Sequence, residues 1–330
     1  MTQSRTLRRL VRSGTSGDAG EFRRAAEDLI REERQKKHHL LANDLEQLLD
    51  QGTVSERKAP SRTYEPPRDR ERGMPLVDVR AARRDLGDIV LSDTNRAALD
   101  EVILEHGRAE LLGSHGLRPT SRLLLCGPPG CGKTTAAEVL ACELGLDLAL
   151  VRFDSVVSSF LGETSANLRA VFDFLERERV VALFDEFDAL GKTRADEEEH
   201  GELKRVVSAL LQMIDAYRGR SVIVAASNHE QLLDLAIWRR FDEVLLFEPP
   251  TLAQLGPLLA TKLRSVRHDL PVDDSKFLKH LAGFTHADVE RVVVRAIKNM
   301  ILASREILTE ELFEDARRRE ERRLGLVRRR

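Results

Sequence analysis

"RLLLCGPPGCGKTTAAEVLACELG", Arg122 to Gly145, sets Gly127, Gly130 and Gly132 between a short apolar run and a helical pattern, and follows them with Lys133 and Thr134. Clustered glycines cost backbone entropy, so this loop needs main-chain N–H groups that no side chain shields. The segment fits the phosphate-loop spacing G-x-x-x-x-G-K-[ST] from Gly127 to Thr134. A strand is expected to end at Cys126, and a helix to run from about Lys133 to Leu144, stopped by Gly145. Loop N–H groups and the helix N-terminus then face one anionic site. There Lys133 would neutralise the β- and γ-phosphates of a nucleotide, and the Thr134 hydroxyl would ligate Mg²⁺.

Apolar runs of strand length recur around this loop: Leu123–Cys126, Leu148–Phe153, Val180–Phe184, Ser221–Ser227 and Glu243–Phe247. They lack period-two alternation and are separated by helical patterns, which predicts an α/β fold with a parallel sheet wrapped by helices. After Pro250 the strands stop, and short helices are expected through about Arg319 as a small all-helical lid domain. The expected organisation is a helical N-terminal module over 1–50, a flexible linker over 51–75, the nucleotide-binding domain over 76–250, the lid over 251–319 and a basic tail over 320–330. The linker assignment rests on a shift to Pro, Arg, Ser and Glu. The N-terminal module has apolar residues at helical spacing, Leu29, Leu40, Leu41, Leu45 and Leu48 among them, and reads either as a packing or dimerisation element or as a recognition module.

"VVALFDEFDAL", Val180–Leu190, delivers Asp185 and Glu186 at the C-terminal end of an apolar strand. That pair supplies a carboxylate for Mg²⁺ in Asp185 and a base to orient an attacking water in Glu186. Asn228, at the end of "SVIVAASN", brings an amide to the same sheet edge, where ligands collect in open α/β folds.

Together these segments resemble the AAA ATPases of the AAA+ superfamily, in a single-cassette, bacterial-type form, over roughly Asp88 to Arg318. "GPPGCGKT" is similar to the family's Walker A motif, "LFDEFDAL" to Walker B, "AASN" to the sensor-one strand, and "GFTHADVERVVVRA" to the helical lid. The resemblance implies ATP and Mg²⁺ as cofactors, with Pro129, Gly130, Cys131, Gly132, Lys133, Thr134 and Thr135 around the phosphates. It adds Asp88, Ile89, Val90 and Ala287 as further cofactor contacts. "LDLAIWRRFDEVLLFEPP" is similar to the arginine-finger segment, so Arg239 and Arg240 would reach a neighbouring subunit's γ-phosphate in a ring, hexameric by analogy. The adjacent arginines look like the katanin and spastin branch. His286-Ala287-Asp288 stands where many relatives have Gly-Ala-Asp, and no sensor-two arginine is present there. "SSFLGET" resembles the first pore loop, which makes Phe160 and Leu161 the expected grip on an extended polypeptide.

With 42% hydrophobic and 33% charged residues and a net charge of -2, the chain gives no global reason to expect membrane or nucleic acid as a partner. No apolar run reaches membrane-spanning length, and three cysteines without CxxC spacing point to a cytoplasmic, reduced setting. "HEQLL" lacks the second histidine of a zinc-protease motif, and no G-x-S-x-G turn occurs. The C-terminus also lacks the hydrophobic-tyrosine ending of proteasome-docking relatives. Three readings follow: an ATP-driven motor that threads polypeptide, paired with a separate subtilisin-like serine protease as some compact bacterial relatives are; a nucleotide-dependent assembly switch; and a nucleic-acid-associated loader, which the missing sensor-two arginine disfavours.

Overall fold

The computed structural model describes residues 25–31, 64–69, 73–156, 161–187, 200–228 and 235–327. The chain divides into two compact units, Met1–Arg62 and Thr63–Arg330. In the first, residues 25–31 form a helix in which Ala25 and Ile30 are buried.

The second unit begins with residues that composition assigns to a linker. Tyr64 donates its hydroxyl to Asp147 Oδ2 at 2.8 Å and meets Phe174 edge-on, with ring centroids 6.3 Å apart. Leu76 N donates to Pro67 O at 2.8 Å. These contacts lead into a sheet of six strands: β1 (Val77–Arg80), β2 (Arg122–Cys126), β3 (Asp147–Val151), β4 (Val180–Phe184), β5 (Val222–Ser227) and β6 (Glu243–Leu246), in the order β1-β3-β4-β5-β2-β6. All neighbours are parallel except β1, which runs antiparallel to β3 with Val77 opposite Val151. The five parallel strands are those expected from the apolar runs. β1 is additional, because a four-residue edge strand with alternating burial carries too little apolar signal beside a polar stretch.

Helices cover both faces. Leu123 and Leu125 of β2 and Val181 and Leu183 of β4 pack with α1 (Asp93–Gly107) and α3 (Lys133–Glu143); α2 is the short helix Ala109–Ser114. The alternate residues Leu124, Cys126, Ala182 and Phe184 pack on the opposite face with α5 (Leu161–Arg177) and α6 (His200–Ala216), while α4 (Phe153–Val156) closes the end of β3. Burial on both faces explains the unbroken apolar runs, each such Leu or Phe contributing about 1.5–3 kcal/mol. After α7 (Leu235–Trp238) and β6, the chain forms a helical lid of α8 (Leu252–Leu263), α9 (Ser275–Lys279), α10 (His286–Leu302) and α11 (Glu310–Val327). The lid has a separate core of Leu255, Leu259, Phe277, Phe284, Val292 and Phe313. The helix α11 runs through Arg319, so the stretch expected as a basic tail continues the lid's last helix to Val327.

The phosphate-loop turn is fixed by close packing. Gly127 has φ +142°, and a Cβ there would lie 1.9 Å from the Phe247 carbonyl oxygen at the end of β6. Neither the backbone conformation nor the space admits a side chain. Gly127→Ala is expected to lower the melting temperature of the chain by roughly 5–15 °C, read by calorimetry or circular dichroism. A change below about 2 °C would show that β6 yields instead.

Candidate active site

A cleft of about 300 Å³ lies at the C-terminal ends of the parallel strands. Its floor is formed by Pro129, Gly130, Gly132, Lys133, Thr134 and Thr135 after β2, Asp185 and Glu186 after β4, and Asn228 after β5. The opposite wall combines Asp88, Ile89 and Val90 with Leu258, Lys262, His286, Ala287 and Glu290 of the lid. The sheet order puts β2 between β5 and β6, so these strand ends converge where an open α/β sheet offers its crevice.

The polar floor is organised by its own hydrogen bonds. Lys133 is only 6% exposed, and its Nζ donates to the carbonyls of Gly127 at 2.6 Å and Pro128 at 2.9 Å. The loop therefore holds the ammonium over the glycine turn. The Thr134 hydroxyl donates to Asp185 Oδ2 at 2.8 Å, which joins the start of α3 to the end of β4. Hydroxyl and carboxylate are hard oxygen donors, a set that fits Mg²⁺. Glu186 N donates to Asp185 Oδ1 at 2.9 Å, and Glu186 itself sits at φ +54°, a left-handed conformation that costs a non-glycine residue energy. Strain of this kind persists where the fold holds a side chain in a set direction.

The lid meets the loop through the first turn of α10. Ala287 N donates to Gly130 O at 3.0 Å, and a Cβ on Gly130 would lie 2.9 Å from Thr285 Oγ1 and 3.1 Å from Ala287 Cβ. On the opposite wall, Asp88 pairs with Arg264 at the end of α8 at 2.7 Å. The next two residues diverge, Ile89 packing on the sheet-domain core and Val90 on the lid core. Lys262 and Glu290 form an ion pair at 3.2 Å beside the cleft.

The expected site residues Asp88, Ile89, Val90, Pro129, Gly130, Gly132, Lys133, Thr134, Thr135, Asp185, Glu186, Asn228 and Ala287 all line this cleft. Cys131 does not. Its side chain is 2% exposed in the core beneath α3, where burial pushes the thiol pKa up. Arg239 is exposed and Arg240 pairs with Asp215 at 2.9 Å, and neither lines the cleft of its own chain. Phe160 lies outside the described residues, and so does the side chain of Leu161 at the start of α5. Leu258, Lys262, His286 and Glu290 were not expected in the site. Of these, His286 had a sequence signal, since it breaks the Gly-Ala-Asp pattern of the resembling family.

A family model, that of the ATPase family associated with various cellular activities (AAA), matches residues 123–249. The uncharacterized AAA family ATPase y4kL of Sinorhizobium fredii is 40% identical over 323 residues, covering 98% of this chain and 97% of the relative. The chain belongs to the AAA ATPase family. The proteasome-activating nucleotidase of Thermococcus onnurineus is 32% identical over 221 residues, which are 64% of this chain and 54% of that protein. The ATP-dependent zinc metalloprotease FtsH 2 of Bdellovibrio bacteriovorus is 30% identical over 218 residues, 64% of this chain and 35% of that protein. The chain thus spans most of the first relative but only about half or a third of the other two. The matched AAA segment contains the floor of the cleft, whereas Asp88–Val90 and the lid wall lie outside it. No helix among the described residues is long and apolar enough to cross a membrane.

The AAA lid carries a charge network directly behind its contact with the loop. Asp288 Oδ2 accepts from Thr285 N at 2.9 Å and from the Thr285 hydroxyl at 2.7 Å, while Oδ1 accepts from Arg291. Glu320, 1% exposed on α11, accepts from Arg291 Nε at 2.8 Å and from Arg323 Nε at 2.8 Å. Burial pushes both carboxyls up. The Thr285 and Arg291 hydrogen bonds to Asp288, and those of Arg323 and Arg291 to Glu320, outweigh it and hold both below the usual carboxylate range. A carboxyl depressed in the folded state stabilises the fold fully above its unfolded pKa of about 4, and the contribution fades as pH falls through that range toward the folded value. Arg291→Gln is therefore expected to melt lower than the wild type near pH 7, with the gap narrowing progressively below about pH 4. Calorimetry from about pH 3 to pH 7 checks this, and a gap constant across the series would rule out the carboxylates as its source.

Proposed function

We propose that this chain hydrolyses MgATP and uses the cycle to remodel protein by drawing polypeptide through a ring of its own copies. The observation that carries the hydrolytic part is the convergence of Lys133, Thr134 with Asp185, Glu186 and Asn228 on one cleft closed by a lid. Loop N–H groups and Lys133 would hold the phosphates. Thr134 and Asp185 would hold Mg²⁺, which would supply neutralisation of phosphate charge. Glu186 orients and deprotonates the attacking water, and Asn228 holds the γ-phosphate side of that water. Arg239 and Arg240, outside their own chain's cleft, would reach a neighbour's γ-phosphate, a contribution of about three to five decades in rate.

The protein-remodelling part is supported by two relatives, one named a proteasome-activating nucleotidase and the other an ATP-dependent zinc metalloprotease. The reading includes a hexameric ring, with Phe160 and Leu161 as the grip on the polypeptide and a separately encoded serine protease as a partner. Lys133→Ala is expected to abolish nucleotide binding, because it removes charge that meets ground-state phosphate. Glu186→Gln is expected to keep binding and lose at least about a hundredfold in turnover. Binding by calorimetry and phosphate release together check both; undiminished turnover in Glu186→Gln would remove the assignment. Threading has its own test. Phe160→Ala is expected to keep basal ATPase activity and lose polypeptide remodelling in a fluorescent-substrate unfolding assay, and intact remodelling would leave ATP hydrolysis standing without the pore.

A further inference from the structure

Arg84 stands shortly before the Asp88–Val90 wall in the chain and reaches across to the start of α3. Its Nη1 donates to Thr135 Oγ1 at 3.1 Å, and Thr135 lines the cleft. Its Nε stands 3.7 Å from Glu138 Oε2, an ion pair beyond hydrogen-bond reach. The successive hydroxyls of Thr134 and Thr135 are thus tied to opposite charges, the first to the Asp185 carboxylate and the second to a guanidinium. A guanidinium carries five N–H donors, and the bond to Thr135 takes one of them. The side chain is 47% exposed, so its charged head is not shut away from solvent.

The first turn of α3 is electrostatically one-sided. Peptide dipoles place partial positive charge there, which anions stabilise and cations do not. This turn holds no acidic residue, and its N-cap, Gly132, has no side chain to accept from the first N–H groups. Lys133 is buried within it, and Arg84 is brought to it from a separate segment. Two cations gathered at a helix N-terminus are repelled by the helix end and by each other. An anion bound in the adjoining cleft turns that balance, because it attracts both cations and the helix end together.

We infer that Arg84 supplies a second positive charge to the phosphate end of the cleft and strengthens the binding of a nucleotide's polyphosphate from within the same chain. This rests on the nucleotide-binding reading of the cleft and adds to it a binding residue that lies outside the phosphate loop. Thr135 holds the guanidinium at the cleft's edge. Arg84 acts on charge that ADP and ATP share, so its effect lies in affinity rather than in the hydrolytic step. The segment is also tied to the far end of α3, where Leu86 N donates to Glu143 Oε1 at 3.0 Å. It therefore keeps a hold on the helix when the guanidinium is removed.

The test uses the full chain with ADP and inorganic tripolyphosphate as probes, measured by calorimetry at low and high salt, together with melting temperatures. Arg84→Gln removes the charge but keeps an N–H donor for Thr135, and it is expected to weaken both probes about tenfold, the scale of one hydrogen bond to a charged group. The loss is expected to shrink as salt rises, because the side chain is half-exposed. Arg84→Lys is expected to recover part of the affinity for both probes. Ligand-free Arg84→Gln is expected to melt within about 2 °C of wild type and to gain less on adding ADP. Unchanged tripolyphosphate affinity in Arg84→Gln overturns the inference; joined to weaker ADP binding, it marks a residue that only props the Asp88–Val90 wall. A loss of equal size at low and high salt, or one that Arg84→Lys does not reduce, overturns it too, since either removes charge as the cause. A larger drop in melting temperature with an undiminished ADP-induced rise marks a packing role and has the same force. Failure of wild type to bind either ADP or tripolyphosphate is a distinct result and overturns the nucleotide reading of the cleft itself.

Discussion

A single backbone hydrogen bond, Ala287 N to Gly130 O at 3.0 Å, joins the two halves of the candidate site. One partner belongs to the phosphate loop of the sheet domain and the other to the first turn of a lid helix. The bond forms only because Gly130 has no side chain: a Cβ would press on both Thr285 and Ala287. The glycine that shapes the turn of the loop is also the glycine that lets the lid approach. One constraint on backbone access thus shapes both the glycine turn and its contact with the lid.

Behind that contact the lid is stiffened from its far end. Thr285 caps α10 with a capping box shared with Asp288, and Asp288 is in turn tied through Arg291 to Glu320 on α11. The last helix of the chain therefore bears on the turn that touches the phosphate loop. Ion pairs of this kind are individually modest when exposed, but Asp288 and Glu320 are nearly inaccessible, and removing one partner would leave a buried charge uncompensated. On the opposite wall the divergence of Ile89 and Val90 into two different cores makes that segment a second seam between sheet and lid.

Much of the floor is legible in the sequence, and the reason is locality. Gly127 to Thr134 is one continuous stretch running from the loop into the first turn of α3, and Asp185, Glu186 and Asn228 each follow on a strand whose apolar run announces it. Motifs at strand ends keep their meaning because a parallel sheet brings those ends to one edge whatever the lengths of the intervening helices. The lid wall is not legible in the same way. Leu258 and Lys262 sit one turn apart on α8, and Glu290 on α10, and nothing in their spacing shows which helix face turns toward the cleft. Cys131 illustrates the converse. It lies within the loop motif, yet its side chain turns into the core, so membership of a motif and access to a ligand are separate properties.

Residue order alone is enough to specify the phosphate loop, the five parallel strands, the acidic pair and the change to an all-helical segment after Pro250, because each depends on local backbone preference or on an unbroken apolar run. The antiparallel edge strand β1, the packing of Tyr64 on the sheet domain and the direction of the Cys131 side chain emerge only when the chain is folded. So does the choice of which lid residues line the cleft, His286 among them. These features depend on which surfaces meet across long sequence separations. Periodicity shows that a helix has an apolar face, but only packing shows what that face and its polar neighbours touch.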